Sequence, residues 1–397
     1  MSDPWLNVIG LGEDGLCGLS DASRDAIAQA QVIFGGPRHL DLVQAGTRGR
    51  PWPVPFDLAP VLALRGQPVV VLASGDPFWF GAGSMLAQRL APDEWRAHPV
   101  AGVVSLACAR LGWRVEETRA LALHAAEFTA LSTVLHRGAK ILATLRDEAA
   151  PDALAQWLTA AGFGAVRMHV LERLGGPKER HRQTRADDFQ LDGIAAPVAV
   201  ALDGADLARG IGLSGVPGRG EHLFHHDGQI TKSPQRALTL AALAPRPGEM
   251  LWDIGGGSGS VSVEWALAGG HALTIEPRAE RCANIRANIA TFALSRQITL
   301  LQGRAPEALS HDLPTPDAIF VGGGGSADLF AALWGYLMPG ARLVVNAVTL
   351  ETETLLLAMQ AQHGGTLTRI DIAQAAPLGR LRGWVNARPL VQWAVTR

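Results

Sequence analysis

Short apolar runs closed by glycine alternate along the chain with stretches whose apolar positions return every three or four residues. "LNVIGLG", "QVIFGG" and "QPVVVLASG" are of the first kind, and "RDAIAQA" is of the second. Unbroken apolar runs predict strands buried on both faces, and the helical spacing between them predicts a mostly parallel α/β layer. "AKILATL", "PDALAQWLTAAGF", "VRMHVLERLG" and "APVAVALDG" continue the alternation to Leu202. "DGADLARGIGLSGVPGRGEHLF" then breaks it, being dense in glycine and without a sustained period, which predicts a linker over 203–222. Domains are therefore expected at 1–202 and 223–397.

The second half resumes with strand "EMLWDIGGG", helix "VSVEWALAG", strand "HALTIEP", helix "RCANIRANIATFAL" and strand "QITLLQG". Ile285, Ile289 and Phe292 fall on one face of the second of these helices. "DAIFVGG", "ADLFAALWGYL" and "ARLVVNAV" complete a series of βα units, and the C-terminal stretch from "GTLTRID" predicts two long strands joined by a polar, arginine-containing loop. At 397 residues the chain is too long for one ordinary core, so two domains agree with the pattern. A formal charge of −2 provides no basic field, so no nucleic-acid partner is expected. Cys17, Cys108 and Cys282 form neither a disulfide framework nor a zinc spacing, which suits a reducing compartment. With no basic leader and no apolar run of membrane length, a cytoplasmic protein without membrane contact is expected.

The densest chemical signal is "LWDIGGGSGSVSVEWA", with four glycines within five positions between a strand and a helix. In an open parallel sheet, ligands lie beyond the carboxyl ends of strands, and glycines there let the main chain approach them. An acid about 20 positions on can accept bonds from ribose hydroxyls, and Glu276 stands at that distance. Glycine loop plus acid suits either a nicotinamide-dependent oxidoreductase or an S-adenosylmethionine enzyme. The dinucleotide fingerprint needs glycine at 260, where this chain has Ser260. The run Asp253-Ile254-Gly255-Gly256-Gly257-Ser258-Gly259 instead resembles the first motif of class I methyltransferases. After the fourth strand, Gly322 to Gly325 carry no side chains, and the wall around Gly323 and Gly324 suits a large planar substrate.

Together "HDGQITKSPQRALTLAAL", "LWDIGGGSGSVSVEWA", "IEPRAERCANIRANI", "GRAPEAL" and "AIFVGGGG" resemble the corrin-pathway methyltransferases that act at carbon 15 with loss of a carboxyl group. "VIGLGEDGLCGLS", "VIFGGPRHL", "VLASGDPFWFGAG" and "LERLGGPKE" are similar to carbon-5 methylases of the tetrapyrrole methylase superfamily. The order is that of the fused family acting on precorrin-6Y. The resemblance implies a two-lobed tetrapyrrole methylase fold followed by a class I Rossmann-like fold, both α/β. It implies one S-adenosylmethionine per domain, a tetrapyrrole substrate, cobalamin biosynthesis and a precorrin-8 product; a homo-oligomer is expected. Cofactor contacts carried over fall on Thr231, Gly255, Gly256, Gly257, Ser258, Gly259, Glu276 and Ala305 in the second half. In the first half they fall on Gly75, Asp76, Pro77, Gly81, Ser105 and Thr144, with Gly10, Gly12 and His124 toward substrate. The chain departs from the family at Arg304, where an aspartate is common, so the Ala305 main chain is expected to meet the adenine.

Such a substrate carries many carboxylate arms. Arg380 and Arg382, with Arg388, are expected at a carboxylate-binding rim, and Lys178, Arg180, Arg182 and Arg185 invite either that role or a solvated face. An electron-rich tetrapyrrole carbon can attack a methyl sulfonium as an enamine would, and the macrocycle can be its own electron sink for decarboxylation. No catalytic acid or base is therefore assigned, and no metal is expected. A further alternative keeps one domain as a non-catalytic tetrapyrrole-binding module.

Overall fold

The computed structural model describes residues 4–397, which form two compact units. One comprises the residues to Phe128 with Val134–Gly212, and the other Leu213–Arg397 with Thr129–Thr133.

In the first unit, β1 (Leu6–Leu11), β2 (Val32–Gly35), β3 (Gly49–Pro51), β4 (Val69–Ser74) and β5 (Trp95–His98) form one sheet in the order β3-β2-β4-β1-β5. Every pair is parallel. Ile9, Leu11, Ile33, Val70 and Leu72 enter one core, while Leu6, Val8, Phe34, Val69 and Val71 enter another. Burial on both faces is what the unbroken apolar runs require.

The second sheet of this unit contains β6 (Thr118–Ala122), β7 (Lys140–Thr144), β8 (Arg167–Glu172), β9 (Arg180–Arg185) and β10 (Val198–Asp203), ordered β6-β7-β10-β8-β9. Only β6–β7 is parallel; β10 runs antiparallel to β7 and β8, and β9 to β8. The mostly parallel expectation thus holds for the first sheet and fails for this one. The connection from β8 to β9 is too short for a parallel crossover, and β10 inserts between β7 and β8. Strand β9, "RHRQTR", contains no apolar residue and lies at the sheet edge, where charge discourages further pairing.

In the second unit, β11 (Met250–Ile254), β12 (His271–Glu276), β13 (Ile298–Gln302), β14 (Ala318–Val321) and β15 (Arg342–Ala347) are parallel. They are joined by β16 (Thr366–Ile370), while β17 (Ala373–Leu378) and β18 (Leu381–Asn386) form a separate hairpin and β19 (Leu390–Thr396) returns to the sheet. The order β13-β12-β11-β14-β15-β19-β16 reverses beside β11, creating the crevice at which α/β sheets bind ligands. Ile285, Ile289 and Phe292 are buried against this sheet, as their spacing predicts. The expected terminal strands are β16 and β19; β19 runs antiparallel to both of its neighbours, β15 and β16. Their connection is not an irregular loop: a tight turn at Gly379, with φ +61°, folds it into the β17–β18 hairpin. Leu378, Leu381 and Trp384 stand exposed on that hairpin.

Candidate active sites

At the switch point of the second unit lies a cavity of about 730 Å³. The turn after β11 shapes it. Gly255 and Gly256 donate their N–H groups to Ile275 O at 2.9 and 3.1 Å, which binds the turn to β12. Gly256 cannot bear a side chain, because a Cβ there would lie 2.2 Å from Thr274 Cγ2. Gly257 has φ +60°, a conformation that leaves its N–H 2.9 Å from Glu276 Oε2.

Glu276 is buried at the end of β12, and its other oxygen accepts from Arg278 N at 3.0 Å. A carboxylate has about four acceptor positions, so two bonds leave room for a pair of ligand hydroxyls. Asp253 plays a different part. It does not line the cavity; its Oδ2 accepts from Ser262 Oγ at 2.6 Å, and Ser262 Oγ lies 2.7 Å from Thr274 Oγ1. Burial pushes its carboxyl up to about 6, against the opposing bonds from Ser262.

Two further groups hold the loops. Asn288, wholly buried, donates to Ser258 O at 2.8 Å and His225 O at 2.9 Å, and accepts from His225 N at 2.7 Å. Buried Glu264 accepts from Arg236 Nε at 2.8 Å and from the N–H groups of Gly218 and Arg219 at 2.7 and 3.0 Å. Arg236 also donates to Thr231 O and Arg219 O, fixing the segment that brings Thr231 to the cavity. Lining the cavity are Thr231, Gly255 to Ser258, Glu276, Ala305, Gly323 and Gly324. Gly259 is not among them; it begins the helix Ser260–Leu267 and meets Ile285. Arg380 and Arg382 sit on the hairpin, outside the lining, whereas Arg388 reaches it. Lys232, Arg278, Arg281 and Asn346 also line the cavity, at positions no motif marks. Asn346 had a signal, being a lone amide in the apolar strand "LVVNAV"; it donates to Thr239 Oγ1 at 2.9 Å. Lys232, Arg278, Arg281, Arg304 and Arg388 thus line a cavity whose one lining acid is Glu276; Arg281 is paired with Asp227 at 2.9 Å, and the other four make an electrostatic setting for a polyanion.

The first unit has its own cavity, about 460 Å³, lined by Gly12, Gly75, Asp76, Gly81, His124 and Thr144 among the expected residues. Gly10 supports it from behind: a Cβ there would lie 1.9 Å from Gly75 O. Gly75, at φ +60°, in turn sits so near Gly102 that a Cβ would come 2.6 Å from its Cα. Pro77 lies outside the lining, with its carbonyl accepting from Gly83 N at 3.1 Å and closing the turn. Ser105 is exposed on the helix Val103–Leu111; Val103 and Leu106 line the cavity instead. His124 Nδ1 and Thr144 Oγ1 are 3.0 Å apart.

Glu13, Arg38, His39 and Ser74 also line this cavity, and sequence reasoning gave them no role. The basic run of β9 is already committed. Arg180 and Arg182 bond to buried Glu172 at 2.9 and 3.1 Å, and Arg185 pairs with Asp187 at 2.6 Å. Among the described residues, no group of three His, Cys, Asp or Glu side chains is arranged to hold a metal ion, and no helix is long and apolar enough to cross a membrane.

Residues 6–190 match the tetrapyrrole (corrin/porphyrin) methylase family, and residues 222–397 match the precorrin methyltransferase domain. A precorrin-6Y C(5,15)-methyltransferase [decarboxylating] from a Sinorhizobium species is 46% identical over 99% of this chain and 97% of its own. One from Mycobacterium tuberculosis H37Rv is 38% identical over 98% of this chain and 99% of its own. The solved C-terminal domain of precorrin-6Y C5,15-methyltransferase from Rhodobacter capsulatus is 66% identical. It covers 47% of this chain and 100% of that one, at a TM-score of 0.46.

Proposed function

The chain belongs to the precorrin-6Y C5,15-methyltransferase (decarboxylating) family, and from that premise we propose how its two cavities divide the work. It is an S-adenosylmethionine-dependent methyltransferase of cobalamin biosynthesis. Residues 1–202 methylate carbon 5 of precorrin-6Y, and residues 223–397 methylate carbon 15 and release the acetate carboxyl as carbon dioxide, giving precorrin-8. Each part holds its own S-adenosylmethionine.

The observation that carries this reading is Glu276 beside Gly257, a buried carboxylate with unused acceptor capacity at the edge of a bare-backbone cavity. Vicinal ribose hydroxyls suit it, with Thr231, Gly255 to Ser258 and Ala305 around the remaining nucleoside and amino acid. Gly259 supports the loop from the helix side. The cations along the same cavity suit the substrate's carboxylates, and Gly323 and Gly324 suit its plane. In the first unit, Gly75, Asp76, Gly81 and Thr144 border the cofactor and Gly12 and His124 the substrate. Gly10, Pro77 and Ser105 support these walls from outside.

Holding nucleophile and methyl in line can supply on the order of 7–11 kcal/mol of the barrier. The exposed apolar hairpin of β17 and β18 supports a homo-oligomer, and the three free cysteines suit the cytoplasm. Incubating precorrin-6Y and S-adenosylmethionine with the whole chain tests the reaction. The expected mass change is two methyl groups gained and one carbon dioxide lost. Titration calorimetry of the whole chain is expected to count two cofactor sites; a single site would reduce one unit to a binding module.

A further inference from the structure

One cluster in the first unit's cavity is arranged for proton transfer. Arg38 and His39 lie in the helix Pro37–Leu42, and Ser74 ends β4. The Arg38 guanidinium donates to His39 Nε2 at 2.9 Å and to Ser74 Oγ at 3.1 Å, while Ser74 Oγ lies 2.9 Å from the same imidazole nitrogen. A guanidinium can only donate, so Nε2 presents its lone pair and the ring proton resides on Nδ1, a buried atom with no hydrogen-bond partner among the described residues. The Ser74 hydroxyl, accepting from Arg38, is then a second donor to that one lone pair, and the guanidinium must give way before Nε2 can take the serine's hydrogen.

The ring stays ready at neutral pH. Burial, followed by the neighbouring Arg38, pushes His39 down to about 4. Glu13 pairs with Arg38 and offsets its charge, and Asp76 lines the same cavity.

A second feature says what would lie over the cluster. Trp52, Phe56, Trp79 and Phe80 line the cavity, and Phe80 is 64% exposed. Its φ of +52° is a strained conformation for a bulky residue, of the kind retained at binding sites. Four aromatic side chains around one opening suit a broad, flat, conjugated ligand.

Resting on the reading of this unit as the carbon-5 methylase, we propose that Ser74 and His39 take up the proton that carbon 5 sheds after methylation. Attack by carbon 5 forms a C–C bond and breaks the S–CH₃ bond, releasing S-adenosylhomocysteine. Carbon 5 then carries both hydrogen and methyl, and the macrocycle is a cation. The C–H electrons return to the ring, the proton passes to Ser74 Oγ, and the serine's own hydrogen passes to His39 Nε2. The imidazolium later releases a proton to water. A weak base suffices because the carbon acid is cationic and regains conjugation. Arg38 is a positioning residue that fixes both acceptors.

The test uses the whole chain with precorrin-6Y carrying hydrogen or deuterium at carbon 5. In His39→Gln and Ser74→Ala, carbon-5 methylation is expected to fall on the order of 10²-fold. A primary deuterium effect on turnover should emerge that the unmodified chain lacks, with cofactor affinity unchanged and Ser74→Thr restoring the rate. Unaltered turnover in both variants overturns the proposal. So does a lost rate without an isotope effect but with weakened tetrapyrrole binding, which makes the cluster an anchor. If the unmodified chain places no methyl at carbon 5, the underlying reading falls and takes the relay with it.

Discussion

The second unit sets one wall of its cavity in a single strand–turn–helix, with Gly255 to Ser258 in the turn and Glu276 one strand away, while Thr231, Ala305, Gly323 and Arg388 complete the other walls. The first unit draws its cavity from segments as distant as Leu11, Ser74, Gly102, Thr144 and Val198. Both bring main chain close to a hollow with glycine, but only one does so within a contiguous motif. A continuous motif ties its chemistry to a spacing, so it can be recognised by rule. A distributed site has no spacing to recognise, and its glycines act in pairs such as Gly10 and Gly75 that are remote in the chain.

The largest expected effect comes from filling one hollow at a time. In Gly256→Val, side-chain atoms would overlap Thr274, and carbon-15 methylation should fall below detection while carbon-5 methylation persists. Gly75→Val should do the reverse, because its backbone is left-handed and its Cβ would strike Gly102. Product mass spectrometry distinguishes them; loss of both methylations from either change would break the comparison.

Glu276→Gln comes next. Its amide cannot accept through both terminal atoms, so the bond from either Gly257 or Arg278 is lost. A charged hydrogen bond is worth about 1.5–3 kcal/mol, so calorimetry should show one of two cofactor sites weakened about tenfold to a hundredfold.

Asp253 sharpens the contrast through pH. Its folded value of about 6 lies above the unfolded value near ~3.9, so the native state holds an extra proton between the two. Its stabilisation is complete below the lower value and is lost as pH rises through about 6. Asp253→Asn should therefore gain stability relative to the unmodified chain between about pH 4 and 7, by up to about 3 kcal/mol, in denaturant titrations. The smallest effect is expected at Ser105→Ala, where cofactor affinity should not change, since the residue is exposed outside the lining.

What could be read beforehand follows the same division. The parallel strands were legible because each is an unbroken apolar run, and the helix at Ile285 because its period is clean. Strand β9 was not, because its stabilising contacts are Arg180 and Arg182 on buried Glu172 rather than apolar burial. Nor was the β17–β18 hairpin, whose alanines, proline and arginines carry no period-two alternation. At the sites, Glu276 and its glycines were legible from spacing. Arg388 was named but Lys232, Arg278 and Arg281 were not, because a solvated arginine and a cavity-lining one look alike in sequence. The cluster of Arg38, His39 and Ser74 joins positions 35 or 36 residues apart through tertiary packing alone.

The hold of Glu264 on Gly218 and Arg219 decides where the chain can be cut. A fragment beginning at 223 would keep the carboxylate and Arg236 in the interior but discard two amide donors and the Arg219 carbonyl. Each hydrogen bond lost from a charged group costs about 1.5–3 kcal/mol, so losing both is enough to unfold many domains of this size. The glycine-rich stretch that looks like a tether is thus partly a structural plug, and an excised second half should start upstream of Gly218.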